Sequence, residues 1–416
     1  MFVQVLLIFL ATLAAAAFGY GMDARWGEYA HGLDYIVLAR KYQWLSAALS
    51  IVFCVATIFL VASGKRRAWW LVGLLPVLLL FFHRFSGPAA NASVLDNPTF
   101  VTVDHANFVK DTDWVVGLTF NSTSYAYPFS TLFDSPVVLQ VDRGKDNHLK
   151  RLLVMWSPYA NRATAFLTRA ELRPRTLDIV STPANATLVY NTRRGEFINA
   201  ITGQTLKGEM PQGFISQVQT VKMPFGDWKA LHPDTQVLSP PSGQRSDSPS
   251  APLAPLMKMP KTKVPPDAER RIVLIAATQP TAIPQEAITA SPANVIAGVT
   301  PILLFRDSHT NRITAFSRLL EEDQPARFSI STDKKLKGDL IDDVTHSGWT
   351  IAGTELRATD GPAAKKKKTM ATIAFESDLP WGVIKVWYPS LELLNVPPPP
   401  PVVKPPIASP PVRGRR

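Results

Sequence analysis

Asn161-Arg162-Ala163-Thr164-Ala165-Phe166 recurs as Asn311-Arg312-Ile313-Thr314-Ala315-Phe316, five of six residues identical at an offset of 150. The same offset carries Ile201-Thr202-Gly203-Gln204-Thr205-Leu206-Lys207 onto Ile351-Ala352-Gly353-Thr354-Glu355-Leu356-Arg357. Upstream, Ala126-Tyr127-Pro128 answers Ala282-Ile283-Pro284. Downstream, Lys229, Pro233 and Leu238 answer Lys385, Pro389 and Leu394 at an offset of 156, a change that the run Lys365 to Lys368, read as an exposed loop insertion, absorbs. Two copies are too few for a solenoid. The expectation is a pair of homologous lobes, residues 99–238 and 270–396.

Within each copy the apolar runs are short. Leu149 to Met155, Thr187 to Tyr190, Ile272 to Thr278 and Pro301 to Phe305 are rich in apolar and β-branched residues and bounded by Gly, Pro, Asn or Asp, the pattern of strands and hairpins. One short helix is expected at Phe225 to Leu231 and its counterpart at Trp381 to Trp387, with Gly203 and Gly353 at turns. The fold class read from this is mainly β (β-rich α+β).

Ahead of the lobes, residues 1–85 read as a membrane segment with helices at about 2–20, 44–63 and 68–83. The first run lacks the basic start of a signal peptide, and Ala14 to Ala17 is the stretch a cleavage site would use; a retained helix is the reading adopted. Lys65-Arg66-Arg67 between the second and third runs marks the cytoplasmic side, which sends everything after Ser86 outward.

The whole chain is 416 residues, with 44 Lys plus Arg against 33 Asp plus Glu, a net charge of +11. At 46% hydrophobic and 19% charged it is too apolar to be disordered throughout. The single thiol, Cys54, falls inside the second span, so a disulfide within the chain and a cysteine zinc site are excluded. Residues 239–269 and 397–416 hold 17 of the 36 prolines and lack apolar periodicity, which makes them a linker and a basic tail. A basic tail outside the cell suits an anionic envelope polymer or a membrane-protein partner, not nucleic acid.

Chemistry is sparse. The seven histidines show no metal-ligand spacing, and no P-loop, dinucleotide fingerprint or Gly-x-Ser-x-Gly elbow is present. No catalytic residue, metal ligand or cofactor motif is assigned. Asp104-His105 and His232-Pro233-Asp234 read as turn chemistry, Trp228 and Trp381 as core aromatics with a sugar platform as the rival, and Asn91, Asn121 and Asn185 as chance glycosylation triplets. The recurring Asn161-Arg162 and Asn311-Arg312 are the sharpest polar candidates. They fit either a paired guanidinium grip on an anion or an arginine bonding loop carbonyls at the same place in each lobe.

Gly117-Leu118-Thr119, Ala126-Tyr127-Pro128, Ile201 to Gly208, Phe225-Gly226-Asp227-Trp228-Lys229 and His232-Pro233-Asp234-Thr235-Gln236-Val237-Leu238 resemble a bacterial and archaeal domain-of-unknown-function family over about residues 100–396. Its members repeat a Trp, Lys, His-Pro-Asp-Thr, Val-Leu plan in two halves. Where the family carries Cys-Pro-Leu-Cys this chain has Ser157-Pro158-Tyr159-Ala160, so no thiol chemistry carries over. The resemblance implies no activity; with the side set by Lys65 to Arg67, the expected location is the bacterial inner membrane with an extracytoplasmic C-terminal region. The expected function is a membrane-anchored binding or assembly module of the cell envelope. An enzyme acting on envelope glycans or peptides between the lobes, and a subunit of a larger membrane complex, are the alternatives.

Overall fold

An uncharged run of Leu, Ala, Val, Ile and Phe satisfies its backbone in lipid only by closing its own hydrogen bonds, and three helices do so at the start of the chain. The computed structural model describes residues 2–64, 68–86, 92–142, 150–244, 247–259, 263–276, 280–307, 312–321, 324–332, 336–352 and 355–396. Helix α1 is Phe2–Tyr20, α2 is Gly32–Ala62, and a 3-10 turn at Ala68–Leu74 leads into α3, Leu75–Ser86. All three are long and apolar enough to cross a membrane, the third counted over Ala68–Ser86. Two bounds correct the sequence reading. α2 begins at Gly32 and not near residue 44, because Asp34, Arg40 and Lys41 interrupt the hydropathy of that stretch without breaking its helix. The third span runs on past residue 83 through Arg84 for the same reason. The basic turn Lys65 to Arg67 lies outside the described residues.

Small residues let these helices approach closely. Ala11 and Ala15 of α1 are fully buried with Val77 of α3, and Phe53 and Cys54 of α2 pack on them. A Cβ on Gly19 would stand 2.4 Å from the Leu80 carbonyl oxygen. Ser50 Oγ of α2 donates to the Ala11 carbonyl at 2.9 Å.

The chain divides into two compact units that do not follow chain order: residues 1–285 with 374–393, and residues 286–373 with 394–416. Thus 270–285 and 374–393, read in the sequence as the start and end of the second lobe, group with the first unit.

In the first unit, the strand Lys150–Ser157 is apolar without a break from Leu152 to Trp156 because it is covered on both faces. Leu152, Val154 and Trp156 point into a core with Val116, Leu118, Tyr127 and Phe129. Leu153 and Met155 point the other way, toward Phe166, Val189 and Ile198. Its sheet runs Val94–Asp96, Val137–Asp142, Lys150–Ser157, Arg162–Arg169, Phe214–Val218. A second five-stranded sheet runs Val221–Pro224, Trp114–Phe120, Thr123–Pro128, Gln236–Leu238, Phe100–Thr102. Two three-stranded sheets complete the unit: Glu196–Asn199, Leu188–Asn191, Leu177–Ser181, and Pro280–Pro284, Arg271–Ala276, Phe375–Pro380. The helices expected at Phe225–Leu231 and Trp381–Trp387 both form there.

Among its described residues the Pro-rich stretch after Leu238 has no helix or strand, yet it is fastened to this unit, more than a sequence without periodicity suggests. Trp114 N–H donates to the Ser250 carbonyl at 2.8 Å, and Asn185 Oδ1 accepts from Leu256 and Met257 N–H, each at 2.8 Å. The tail, 397–416, lies outside the described residues.

The second unit packs the meander Ala293–Ala297, Thr300–Arg306, Ile313–Ser317 near a five-stranded sheet, Phe328–Ile330 through Thr369–Met370, around Phe316, Phe328, Trp349 and Leu356. Lys365 ends a short helix, Gly361–Lys365, where a loop insertion was expected, because Asp360 caps it through Gly361 N–H and Pro362 opens it. Register recurs between meanders: Met155 faces Thr164 as Phe305 faces Thr314, both partners 150 residues on. Val237 lies parallel to Ala126 as Leu393 does to Ala282, both 156 residues on.

Candidate functional site

Of the four residues singled out by their recurrence, Asn161 and Arg162 enter a buried ionic cluster in the first unit. Arg312 belongs to the second unit, where its carbonyl accepts from Asp307 N–H at 2.8 Å, and Asn311 lies outside the described residues. Asn161 closes the 3-10 turn Pro158–Ala160 in the left-handed region, φ 49°, which an asparagine tolerates better than most residues. That turn aims Arg162, the first residue of its strand, inward.

Arg162 is 4% exposed, and its guanidinium pairs with the Glu376 carboxylate while Nε donates to the Ile201 carbonyl at 3.2 Å. The anion that Arg162 grips is therefore the chain's own. Lys222 Nζ stands 3.7 Å from the other Glu376 oxygen and donates to the carbonyls of Asn161 and Ser377. Thr220 Oγ1 donates to Glu376 at 3.0 Å, and Asn161 Nδ2 donates to Asp378 Oδ2 at 3.3 Å. Two buried cations share one buried carboxylate, so the cluster is short of negative charge.

Burial drives the Lys222 ammonium down to about 8; Glu376 holds it up against that and Arg162 pushes it further down. For Arg162, burial is the largest influence and works against the charge, but Glu376 and Tyr388 together outweigh it and leave the guanidinium above its ordinary value. The consequence for stability has a definite sign. Below pH 8 Lys222 is charged both folded and unfolded, and the folded state bears the full burial penalty. Between about pH 8 and 10.4 the unfolded chain keeps a proton the folded chain has released, so stability rises with pH by up to about 3 kcal/mol. Lys222→Met removes that rise. The stability gap between variant and wild type should shift by about 3 kcal/mol toward the wild type from pH 7 to 10.5; a gap constant with pH, read from melts of the detergent-solubilised proteins, would contradict the assignment.

The two tryptophans settle into the core. Trp228 and Trp381 are 2% and 3% exposed, with Nε1 donating to Thr235 Oγ1 and Asp267 Oδ1, which leaves no face for a sugar. His232 Nδ1 lies 3.1 Å from Ser124 Oγ, and burial lowers the imidazole's affinity for a proton. Neither residue lines the cavities of about 790, 550 and 110 Å³. His105 Nδ1 faces Thr102 Oγ1 at 2.9 Å. Ser157, where the resemblance sets a cysteine, accepts from Thr187 N–H at 2.9 Å, and Ala160 is buried. Among the described residues no group of three His, Cys, Asp or Glu side chains could hold a metal ion.

What sequence reading missed lies where the helices meet the β-sheet. The first three turns of α2 leave the apolar span, and Ile36 packs with Met22 on Val180, Leu188 and Phe197. Arg40 of α2 pairs with Asp178 and lies 4.7 Å above the Tyr190 ring. His83 of α3 stacks on Tyr20 of α1 at 4.0 Å. Beside Arg40 is a cavity of about 790 Å³, lined by Lys41, Trp44, Arg84, Asp178 and Tyr190 among others. The hint was in the sequence: Arg40 and Lys41 directly precede an apolar run that opens with Trp44.

A family model described as "Protein of unknown function (DUF3179)" matches residues 93–377. Neither the curated proteins nor the solved structures gave a match.

Proposed function

The chain belongs to that family of proteins of unknown function (DUF3179), and from this premise we propose that it is a membrane-anchored module whose β-rich region stands outside the cytoplasm and binds or organises a component of the cell envelope. One observation carries the reading. The end of α1, the start of α2 and the end of α3 all meet the first β unit, through the Ile36 cluster, the Arg40–Asp178 pair and the shared lining of Arg84 and Asp178 in one cavity. The three helices are thus built into the folded region, and the end of α2 at Ala62, which Lys65 to Arg67 follow in the sequence, is the end of that helix away from it. Basic residues favour the cytoplasmic side of such a turn, which supports an extracytoplasmic β region.

Binding is favoured over catalysis because the strongest polar cluster is closed by its own partners. The small residues of α1 pack inside the chain, which removes the feature that would favour assembly through the helices. The recurring registers support a duplicated plan whose outer strands were shared out between the two units. A pair of reporters fused after Leu393, alkaline phosphatase and green fluorescent protein, tests the sidedness in a bacterial host. Active phosphatase with a dark fluorescent fusion is expected; the reverse would overturn the reading.

A further inference from the structure

We propose that the cavity between the helix ends and the strand Leu177–Ser181 holds the phosphate headgroup of an anionic membrane lipid; this rests on the membrane-anchored reading above. The volume of about 790 Å³ lies in the range of small-molecule sites. Three cations line it, Arg40, Lys41 and Arg84, against the single carboxylate of Asp178. Arg40 is spent on Asp178 and on the face of Tyr190. Arg84 is half-buried, and its guanidinium makes no hydrogen bond or ion pair with any described residue, only a longer-range attraction to Asp178 set against repulsion from Arg40. Lys41 is exposed and likewise without an ion pair among the described residues. Two positive charges are therefore left over at the cavity, one of them a planar fork suited to two phosphate oxygens.

The height of the cavity selects the source of the phosphate. Trp44, 70% exposed, lines it together with Phe85, 64% exposed, and both pack around Phe18 with ring centroids 6.3 and 6.1 Å away. Tyr20 stands at the end of α1 beside His83. Exposed aromatics at the ends of three spanning helices mark the boundary between hydrocarbon and water, where lipid headgroups lie. A soluble phosphate ester would have no use for the Trp44 and Phe85 flanks, which continue into the acyl region. A lipid would use both parts.

The test is native mass spectrometry of the full-length protein in detergent, titrated with phosphatidylglycerol or with phosphatidylcholine. Each uncompensated cation near a lipid surface is worth about a fivefold gain in affinity, so the wild type should prefer phosphatidylglycerol by about 25-fold, and Arg84→Gln should cut that preference about fivefold. The melting temperature without added lipid should change little, because Arg84 makes no hydrogen bond or ion pair to lose and its attraction to Asp178 is offset by repulsion from Arg40. Lys41→Gln, at an exposed position, gives the same reading should Arg84→Gln fail to fold. Equal uptake of both lipids by the wild type, or preference unaltered in both variants, would overturn the proposal. So would displacement of phosphatidylglycerol by millimolar inorganic phosphate, which would make the ligand a free anion. Sidedness does not enter the titration, so its failure and that of the reporter fusions are separate results.

Discussion

Glu376→Gln should loosen the first unit by about 3–5 kcal/mol, the range for breaking a buried ion pair from one side. The substitution keeps the shape and one acceptor but leaves Arg162 and Lys222, both buried, without the carboxylate they share and with only the more distant Asp378 nearby. Backbone hydrogen exchange read by mass spectrometry resolves the effect by region. Peptides from Lys150–Ser157, Arg162–Arg169 and Val221–Pro224 should exchange at least about a hundredfold faster, while those from Leu340–Asp342 and Gly348–Ala352 keep their wild-type rates. Replacing the three charges together by methionine should restore most of the loss, since the apolar set has no desolvation penalty to offset. A change under about 1 kcal/mol for Glu376→Gln would mean that the cluster is not the buried tie it is drawn as.

Asp342→Ala should do the converse in the second unit. Asp342 is 1% exposed and accepts from Val344 and Ser347 N–H at 3.0 and 3.1 Å, from Thr345, and from Trp349 Nε1 at 2.8 Å. Trp349 and Ser347 are fully buried, so truncation strands at least two donors in the core, at about 1–3 kcal/mol each. Exchange should quicken across Phe328–Ile330, Leu340–Asp342 and Gly348–Ala352 and stay unchanged at Lys150–Ser157. Acid should mimic the mutation. Burial alone would raise the Asp342 carboxyl, but the bonds from Thr345, Trp349 and Ser347 win and hold it below the ordinary aspartate value. A lowered carboxylate contributes stability that is present above about pH 4 and lost as pH falls through the folded value, so the second unit should lose this contribution in acid. Uniform exchange changes in both units would contradict this.

The legible parts of the chain were those with local periodicity. Apolar runs gave the spans, β-branched runs with turn residues gave Lys150–Ser157 and Thr300–Arg306, and the short helices Phe225–Leu231 and Trp381–Trp387 were legible too. The N-terminal extension of α2 was hidden because hydropathy senses charge, while the helix needs only one apolar face, here Ile36 with Val37 and Ala39. Asn161 and Arg162 were found, but not their partners: Glu376 is 214 residues from Arg162 and sits in a strand with no distinguishing pattern. A signal did exist. The 156-residue offset sets Thr220 against Glu376 and Lys222 against Asp378, polar residues at matched places beside the ends of apolar strands, and Thr220 does bond to Glu376. Which strands join which unit could not be read, because the exchange of 270–285 and 374–393 depends on tertiary packing alone.

The most direct measurement of the central claim is thiol labelling. Cys54 is the chain's sole cysteine, so Cys54→Ala with Val299→Cys leaves one reactive sulfur at a turn residue 79% exposed in the second unit. Membrane-impermeant maleimide added to intact spheroplasts should modify it as fully as it does after lysis. Modification only after lysis would put the β-rich region in the cytoplasm and contradict the account.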